Sequence, residues 1–514
     1  MAVHRRRILF FTNSDFGQAN VVLASVYAMM HVATDLEIHI ASFHPLEGAV
    51  RELSDKAVKQ NPPKMEQERV IFHGIDGLSQ FDAAKRPEVG VLEAYDLTPG
   101  LVNSARNILI IPGIMLPWEP HEFGAIYLQA EKILSDVNPD ITVVDPLFAP
   151  GLTLCQYLDI NWIVLAPNTI KDFAVPLQPG LAMLWKYPIV CAALPFPLPI
   201  QLIPYNILLV LVAGYMLLTD QRLKRTSQYI HKEISPATNI MTANELGVLK
   251  PAPPGLRILA ASSPELDYPF TVLPKHVVHC GPIIRAAPSI GSSDPSLEQW
   301  LKKGPTVYVN LGTHLKMNVS EAAEMAKAFR DLLSHAQAAG FEEWRKLQIL
   351  WKLQRKPPAD TELEPNDFSG AWSSVCNTLG PEMDADRVRI TNWITAEPFS
   401  VLDSGHVVCS VHHGGANSFN ESICAGVPQV LLPAWADCYD FGNRVEILGV
   451  GQWANKKAKP RWEGGELAQS LIETLLGPKA EEIRRRARDL AARFPANTGR
   501  ERAASEILSA IKTV

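Results

Sequence analysis

The residues of this chain best suited to chemistry lie between Val407 and Asn443, in VVCSVHHGGANSFNESICAGVPQVLLPAWADCYDFGN. His413, Gly414 and Gly415 stand between an apolar run, Val407 to Val411, and a stretch of helical pattern, Ala416 to Cys424. Gly426 to Pro428 then open a second apolar run, Gln429 to Leu432. The order predicts strand, turn, helix, strand. Glycines at the turn clear side chains from the helix start, where unsatisfied N–H groups and the positive end of the helix dipole attract an anion. Asn417 and Ser418 add donors in the first turn, and Glu421, one turn on, can accept from sugar hydroxyls on the same face. A nucleoside diphosphate carrying a sugar fits this set.

His413, Gly415, Asn417, Ser418 and Glu421, followed by Gly426-Val427-Pro428 and by Pro433 to Asp437, resemble the signature segment of the UDP-dependent glycosyltransferases of GT-B fold, family 1. The resemblance is specific over Trp393 to Asn443, and loose but colinear over most of the remainder. It implies an α/β fold of GT-B type, two facing Rossmann-like domains with a cleft between them. The C-terminal half would bind the UDP-sugar and the N-terminal half the acceptor. It also implies that Gly312 and Thr313 face the donor phosphates, that Trp393 stacks on uracil, and that Asp437 contacts sugar hydroxyls. Asp440 shares that last role, because Asn443 lies two residues farther from Asp437 than in the plant pattern. Two departures bear on the donor: Cys438 replaces the usual Gln or His, and Trp393 is followed by Ile394-Thr395-Ala396-Glu397-Pro398 in place of W-x-P-Q. The sugar therefore stays open, with UDP-glucose the family's default.

Inverting members use a His after the first strand, held by an Asp at the end of a later one, to assist attack of an acceptor hydroxyl on the anomeric carbon. Asp145 matches the Asp; its alternative reading is a helix N-cap before Pro146. The His aligns with Gln18, in Asp15-Phe16-Gly17-Gln18-Ala19-Asn20. An amide takes no proton at neutral pH. The base is then Asp145 itself, or a His from another strand end such as His44 or His73, or the protein binds without transferring. Fungal sequences that resemble this one read Gly-Gln-x-Asn here, which favours a working variant.

The resemblance thus implies an inverting O-glycosyltransferase with a lipophilic small-molecule acceptor, such as a phenolic, polyketide, terpenoid or sterol of secondary metabolism. The rivals are a catalytically impaired GT-B pseudoenzyme that binds a UDP-sugar or a lipophile, and a sugar-nucleotide epimerase. Asp384-Ala385-Asp386 has the D-x-D form that holds a divalent metal in unrelated glycosyltransferases, but the helix start at Ala416 already offers an anion site. No metal and no cofactor are expected, the UDP-sugar being a co-substrate.

The elements that must position these residues alternate. Ile8 to Phe11, Leu36 to Ile40, Glu68 to Gly74, Ile141 to Val144, Asn161 to Leu165 and Leu256 to Ala261 read as strands of a first half, the last of these closing it. Asn20 to Val32, Phe123 to Asp136 and Pro150 to Leu158 read as helices, whereas Leu101 to Glu122 fits no single pattern. The second half repeats the theme with strands at Thr306 to Asn310, Gln348 to Leu353 and Val388 to Thr391 and a helix at Ser320 to Ala338; Pro357 to Met383 reads as an exposed loop. The expected division is residues 1–265, a linker 266–303, residues 304–480, and terminal helices 481–514 that in the resembled family cross back to the first domain. At 514 residues with 47% hydrophobic and 20% charged residues, the chain can carry two full cores, and a net charge of -6 argues against nucleic acid as partner.

Tyr187 to Leu218 is Pro-punctuated and strongly apolar, ending in ILLVLVAGYMLL before Arg222, Lys224 and Arg225. Read as a helix from Ile207, it reaches about 18 Å against a bilayer core of about 30 Å, so spanning is not expected. It reads as a buried helix, a wall of an apolar acceptor pocket, or an interfacial membrane contact. Seven cysteines without a C-x-x-C pair, and an apolar N-terminal run too short for a signal peptide, predict a cytoplasmic protein, membrane-associated if that segment touches lipid.

Overall fold

The computed structural model describes residues 5–60, 70–94, 96–340, 342–356 and 368–511. The chain divides into two compact units, one of residues 1–94, 100–286 and 497–514, the other of residues 95–99 and 287–496.

The first unit is built on seven parallel strands: β1 Arg6–Phe11, β2 Leu36–Phe43, β3 Val70–Ile75, β4 Ile141–Val144, β5 Trp162–Ala166, β6 Ile258–Ala260 and β7 Val277–His279, in the order β3-β2-β1-β4-β5-β6-β7. Because successive side chains point to opposite faces, β1 serves two cores at once. Ile8 and Phe10 pack with the Phe16–Val32 helix and with Ala503 and Ile507, whereas Leu9 and Phe11 pack with Phe123, Ile126 and Tyr127 of the Pro120–Val137 helix. The second unit has six parallel strands: β8 Thr306–Asn310, β9 Gln348–Lys352, β10 Val388–Thr391, β11 Val407–His412, β12 Gln429–Leu431 and β13 Gly451–Trp453, ordered β10-β9-β8-β11-β12-β13. Val307 and Val309 face the Val319–Ala338 helix, and Tyr308 faces the opposite side with Val401 and Leu402. In both sheets the strand order turns back beside the first strand, which opens a crevice at the carboxyl ends of β1 and β4 and of β8 and β11.

Several expectations need correction. The segment read as a linker contains β7, so β6 is not the last strand of its unit; three residues bounded by Pro274, Lys275 and His276 carry too little pattern to be seen. The first helix begins at Phe16, with Asp15 at the N-cap position but making no side-chain cap, which puts Gln18 in its first turn. Leu101–Met115 is one helix whose Pro112 hides the period. Of the stretch read as a loop, residues 357–367 lie outside the described residues, but Ser373–Asp384 is a helix; Trp372, Val375 and Leu379 bury one stripe that its Ser and Asn residues mask. The start of the Glu68 strand likewise falls on residues outside the described set. Of the terminal helices, Ala480–Arg493 belongs to the second unit and Thr498–Ser509 to the first, where Ala503, Ala504 and Ile507 join the β1 core.

The apolar segment forms a helix from Ile203 to Thr219, longer than the sequence suggested because Pro204 opens it at a position where a missing N–H costs nothing. It is not a core helix. Only Asn206, Leu209 and Met216 are buried. Asn206 holds it to the unit: its Oδ1 accepts from Ile189 N (2.9 Å), and its Nδ2 donates to the carbonyls of Leu184 (3.0 Å), Tyr187 (3.1 Å) and Met183 (3.3 Å). Tyr205 donates to Ser104 Oγ at 3.2 Å, on the neighbouring Leu101–Met115 helix. Asn206→Leu should strand those carbonyls in a dry contact and lower stability by about 1–3 kcal/mol, read as a lower thermal unfolding midpoint.

Candidate functional site

In the second unit the crevice between β8 and β11 gathers residues far apart in sequence. Strand register aligns Asn310 with Lys352 and Lys352 with Thr391, so three adjacent strands end in one row. Gly312 and Trp393 lie two residues past the first and last of these. On the other side of β8, β11 ends at His412 and the turn His413-Gly414-Gly415 leads into the Ala416–Cys424 helix.

The His413 ring is wedged between two glycines. A Cβ on Gly312 would come within 2.8 Å of its Cε1, and one on Gly415 within 2.4 Å of its Nε2. Gly312 and Gly414 also have φ of +83° and +86°, a region that side chains resist. His412 fixes the turn from below: its Nδ1 accepts from Gly414 N at 3.1 Å and its Nε2 lies 2.9 Å from Gln429 Oε1. These two bonds define a neutral ring protonated on Nε2. Burial pushes the pKa of His412 down to about 4. Burial, with the neighbouring His412, His314 and Lys352 adding to it, pushes His413 to about 3. The Nδ1 of His413 is buried with no hydrogen-bond partner among the described residues. An orphaned ring nitrogen beside a helix start is what a ligand-binding group retains.

Lys352 had no place in the sequence reading. Its residue is 7% exposed, its Nζ is 3.4 Å from the Gly312 carbonyl and 4.1 Å from the Trp393 ring centroid, and burial lowers its pKa to about 8. A desolvated ammonium held by one long hydrogen bond and an aromatic face gains most from an anionic ligand. Trp393 itself is 57% exposed, which removes the alternative of a core Trp and leaves an indole face at the strand ends. Thr313 is exposed in the turn after Gly312. Asn417, Ser418 and Glu421 are half-buried on the Ala416–Cys424 helix. Asp437 is exposed at the start of the Cys438–Leu448 helix, whereas Asp440 is 5% exposed within its first turn. The D-x-D residue Asp386 is already committed, since its carboxylate meets Lys303 (2.6 Å) and Arg389 (3.0 Å), which hold its pKa below the usual range.

In the first unit the corresponding crevice is lined by carboxylates. Asp145 follows β4 and is 2% exposed. Its Oδ2 accepts from Asn13 Nδ2 (3.0 Å), Asn13 N (3.1 Å) and Thr12 Oγ1 (3.4 Å), and its Oδ1 accepts from Leu147 N (2.8 Å). It is not a helix N-cap; Phe148 holds that position. Burial outweighs these bonds and raises its pKa to about 6. Asp15, which the sequence reading passed over, reaches about 6 as well, through burial first and then the charges of Asp82 and Asp145. The Oε1 of Gln18 is buried without a hydrogen-bond partner among the described residues. The other base candidates lie elsewhere on the sheet: His44 is exposed and 3.1 Å from Asp76, and His73 Nε2 is 2.9 Å from His39 Nδ1.

Residues 265–461 match the family described as UDP-glucoronosyl and UDP-glucosyl transferase. Over 460 residues the chain is 34% identical to glycosyltransferase sdnJ of Sordaria araneosa, covering 89% of this chain and 85% of that one. The chain belongs to the UDP-glycosyltransferase family. An erythritol-mannosyl-transferase of Mycosarcoma maydis is 21% identical over 98% of this chain and 91% of its own. A solved UDP-glucose:anthocyanidin 3-O-glucosyltransferase in complex with UDP superposes with a TM-score of 0.60 at 16% identity, over 99% of both chains. The fold is GT-B, two Rossmann-like domains, and the protein is a UDP-glycosyltransferase acting on small molecules. The two rivals, a pseudoenzyme suggested by Gln18 and a sugar-nucleotide epimerase, find no support among these relatives.

A bound diphosphate would raise the pKa of Lys352 again, so above pH about 8 this UDP-glycosyltransferase takes up a proton as UDP binds. UDP, whose last ionisation lies near about 6, is already fully charged there. Affinity should therefore fall as pH rises from about 8 to about 10. Lys352→Met should weaken UDP by roughly tenfold, about 1.4 kcal/mol, and flatten that dependence in titration calorimetry.

Proposed function

We propose that this chain transfers a glucosyl unit from UDP-glucose, with inversion, to a hydroxyl of a lipophilic small molecule. The observation that carries the donor side is the His413 ring clamped by Gly312 and Gly415 beside the buried Lys352. These groups suit a diphosphate, and they stabilise the charge that builds on departing UDP. Trp393 offers its exposed face to the uracil, and Asp437 its carboxylate to the sugar.

On the acceptor side, the acceptor hydroxyl donates its one hydrogen bond to the Asp15 carboxylate, with Gln18 beside it in the first turn of the Phe16–Val32 helix, and that proton passes to Asp15 as the oxygen bonds to the anomeric carbon and the bond to UDP breaks. Asp145, with both oxygens engaged, holds the Thr12-Asn13 turn in place and keeps Asp15 basic through its charge. Phe16, half-exposed beside Gln18, supports an apolar acceptor. The reaction needs no metal in this reading, because Lys352 and the helix start supply the positive charge and Asp386 is tied to Lys303 and Arg389. Seven cysteines without a C-x-x-C pair, six of them buried, support a reducing, cytoplasmic setting. A second reading concerns the sugar alone: Cys438 in place of Gln or His, and a relative named for mannosyl transfer, favour a donor other than UDP-glucose.

The test is an incubation of purified protein with UDP-glucose, or with other sugar nucleotides, and a panel of phenols, polyketides, terpenoids and sterols in EDTA, following UDP release and product mass. A glycoside of inverted configuration is expected. A base must be deprotonated to act, so kcat/KM should rise as pH passes about 6. Asp15→Asn should cost about 10²–10⁴-fold in kcat with UDP affinity unchanged. Asp145→Asn should also lower kcat strongly, and full turnover in both variants removes the carboxylates from the mechanism.

A further inference from the structure

The apolar helix of the first unit presents a surface that the donor and acceptor chemistry does not use. From Ile200 to Thr219 there is no Asp, Glu, Lys or Arg. The three buried residues, Asn206, Leu209 and Met216, form one stripe toward the unit. The opposite stripe, Leu208, Leu211, Tyr215 and Leu218, recurs at helical spacing and is open to solvent, Leu218 to 81%. The neighbouring Leu101–Met115 helix adds Leu101, Val102 and Leu109, also exposed. Contiguous apolar area of this kind is rare on a soluble protein that has no partner for it.

Length and composition alone would let the helical stretch from Ile200 to Glu233 cross a bilayer. The polar anchors exclude that role. The four hydrogen bonds of Asn206 and the Tyr205–Ser104 bond hold the helix flat against its unit, and a spanning helix would abandon them all. What remains is a helix held with one face fixed and the other apolar. Beyond it, Asp220 caps the Gln221–Glu233 helix by accepting from Arg222 N and Leu223 N, so its carboxylate is engaged locally. Lys224 and Arg225 are exposed at this end, with Arg106 exposed on the companion helix, and Arg222 is paired with Glu119. Tyr215 and, on the adjoining turn of helix, Trp185 are half-exposed or more, and such aromatics favour the depth of lipid headgroups.

We propose that this face, Leu208 to Leu218 with Lys224 and Arg225, docks the enzyme on the surface of a bilayer containing anionic phospholipid, the leucines entering the headgroup boundary and the cations meeting lipid phosphates and carboxylates. Charge complementarity favours lipid: Lys224, Arg225 and Arg106 beside the apolar stripe match the dense anionic plane of a phospholipid surface. Docking of this kind also brings the acceptor half to where lipophilic molecules dissolve.

The experiment is co-sedimentation of the purified full chain with phosphatidylcholine vesicles, with and without phosphatidylserine, alongside sedimentation velocity without lipid. Binding to the phosphatidylserine vesicles is expected, falling at least tenfold in the double variant Leu211→Glu/Leu218→Glu and several-fold in Lys224→Glu/Arg225→Glu or at high salt. UDP affinity and unfolding midpoint should stay at wild-type values, which separates lost docking from lost folding. Absence of vesicle binding, equal binding to both vesicle types, or binding unchanged in the leucine variant would each overturn the proposal. So would a wild-type dimer that the leucine variant splits while neither binds lipid, which would assign the face to a second copy.

Discussion

The reversal of strand order beside β1 and beside β8 is the constraint on which the rest of this molecule depends. In a parallel sheet every strand delivers its carboxyl end to the same edge, and only where the winding changes direction do two neighbouring loops part to leave room for a ligand. Gly312 leaves β8 and His413 leaves β11 at such a point, and the ring of one fills the space that a side chain on the other would take. A methyl group at Gly312 or Gly415 would displace the imidazole, and with it the orphaned nitrogen beside the start of the helix. The turn glycines therefore serve the histidine as much as they serve the backbone.

The two crevices carry opposite electrostatic preparation. In the second unit, burial strips water from Lys352, His412 and His413, so positive charge there is costly until an anion arrives. In the first unit, burial lifts Asp15 and Asp145 toward neutrality, so a proton is bound and released near pH about 6. A group poised in that range both takes a proton from a hydroxyl and gives it up to solvent. Three residues before Gln18, where the resemblance would place the family's histidine, Asp15 is a carboxylate whose basicity has been raised into the range of an imidazole.

Much of the fold was legible because its signals are local. Ala416–Cys424 was bounded correctly since Gly415 and Gly426 punctuate it, and β4 and β8 since apolar runs end at a charge or turn. The candidate site was legible only where the family motif is contiguous. Lys352 closes an apolar strand and reads as a solvated end; only register brings it to Gly312, 40 residues away, and to Trp393. Asp15 takes its raised pKa partly from Asp82, on a helix whose approach no local pattern discloses. The apolar helix failed in the opposite sense: being hydrophobic all round, it gave no hint which face was packed, and a single Asn decided it.

That Asn206 has a practical consequence. A preparation that aggregates invites deletion of its greasiest stretch, yet excising Ile203–Thr219 would also uncover the Met183, Leu184 and Tyr187 carbonyls and unroof the Leu101–Met115 helix. Solubility is better sought by repainting the outward leucines with polar residues and leaving the inner stripe alone, which keeps the scaffold while making it tractable for crystallisation.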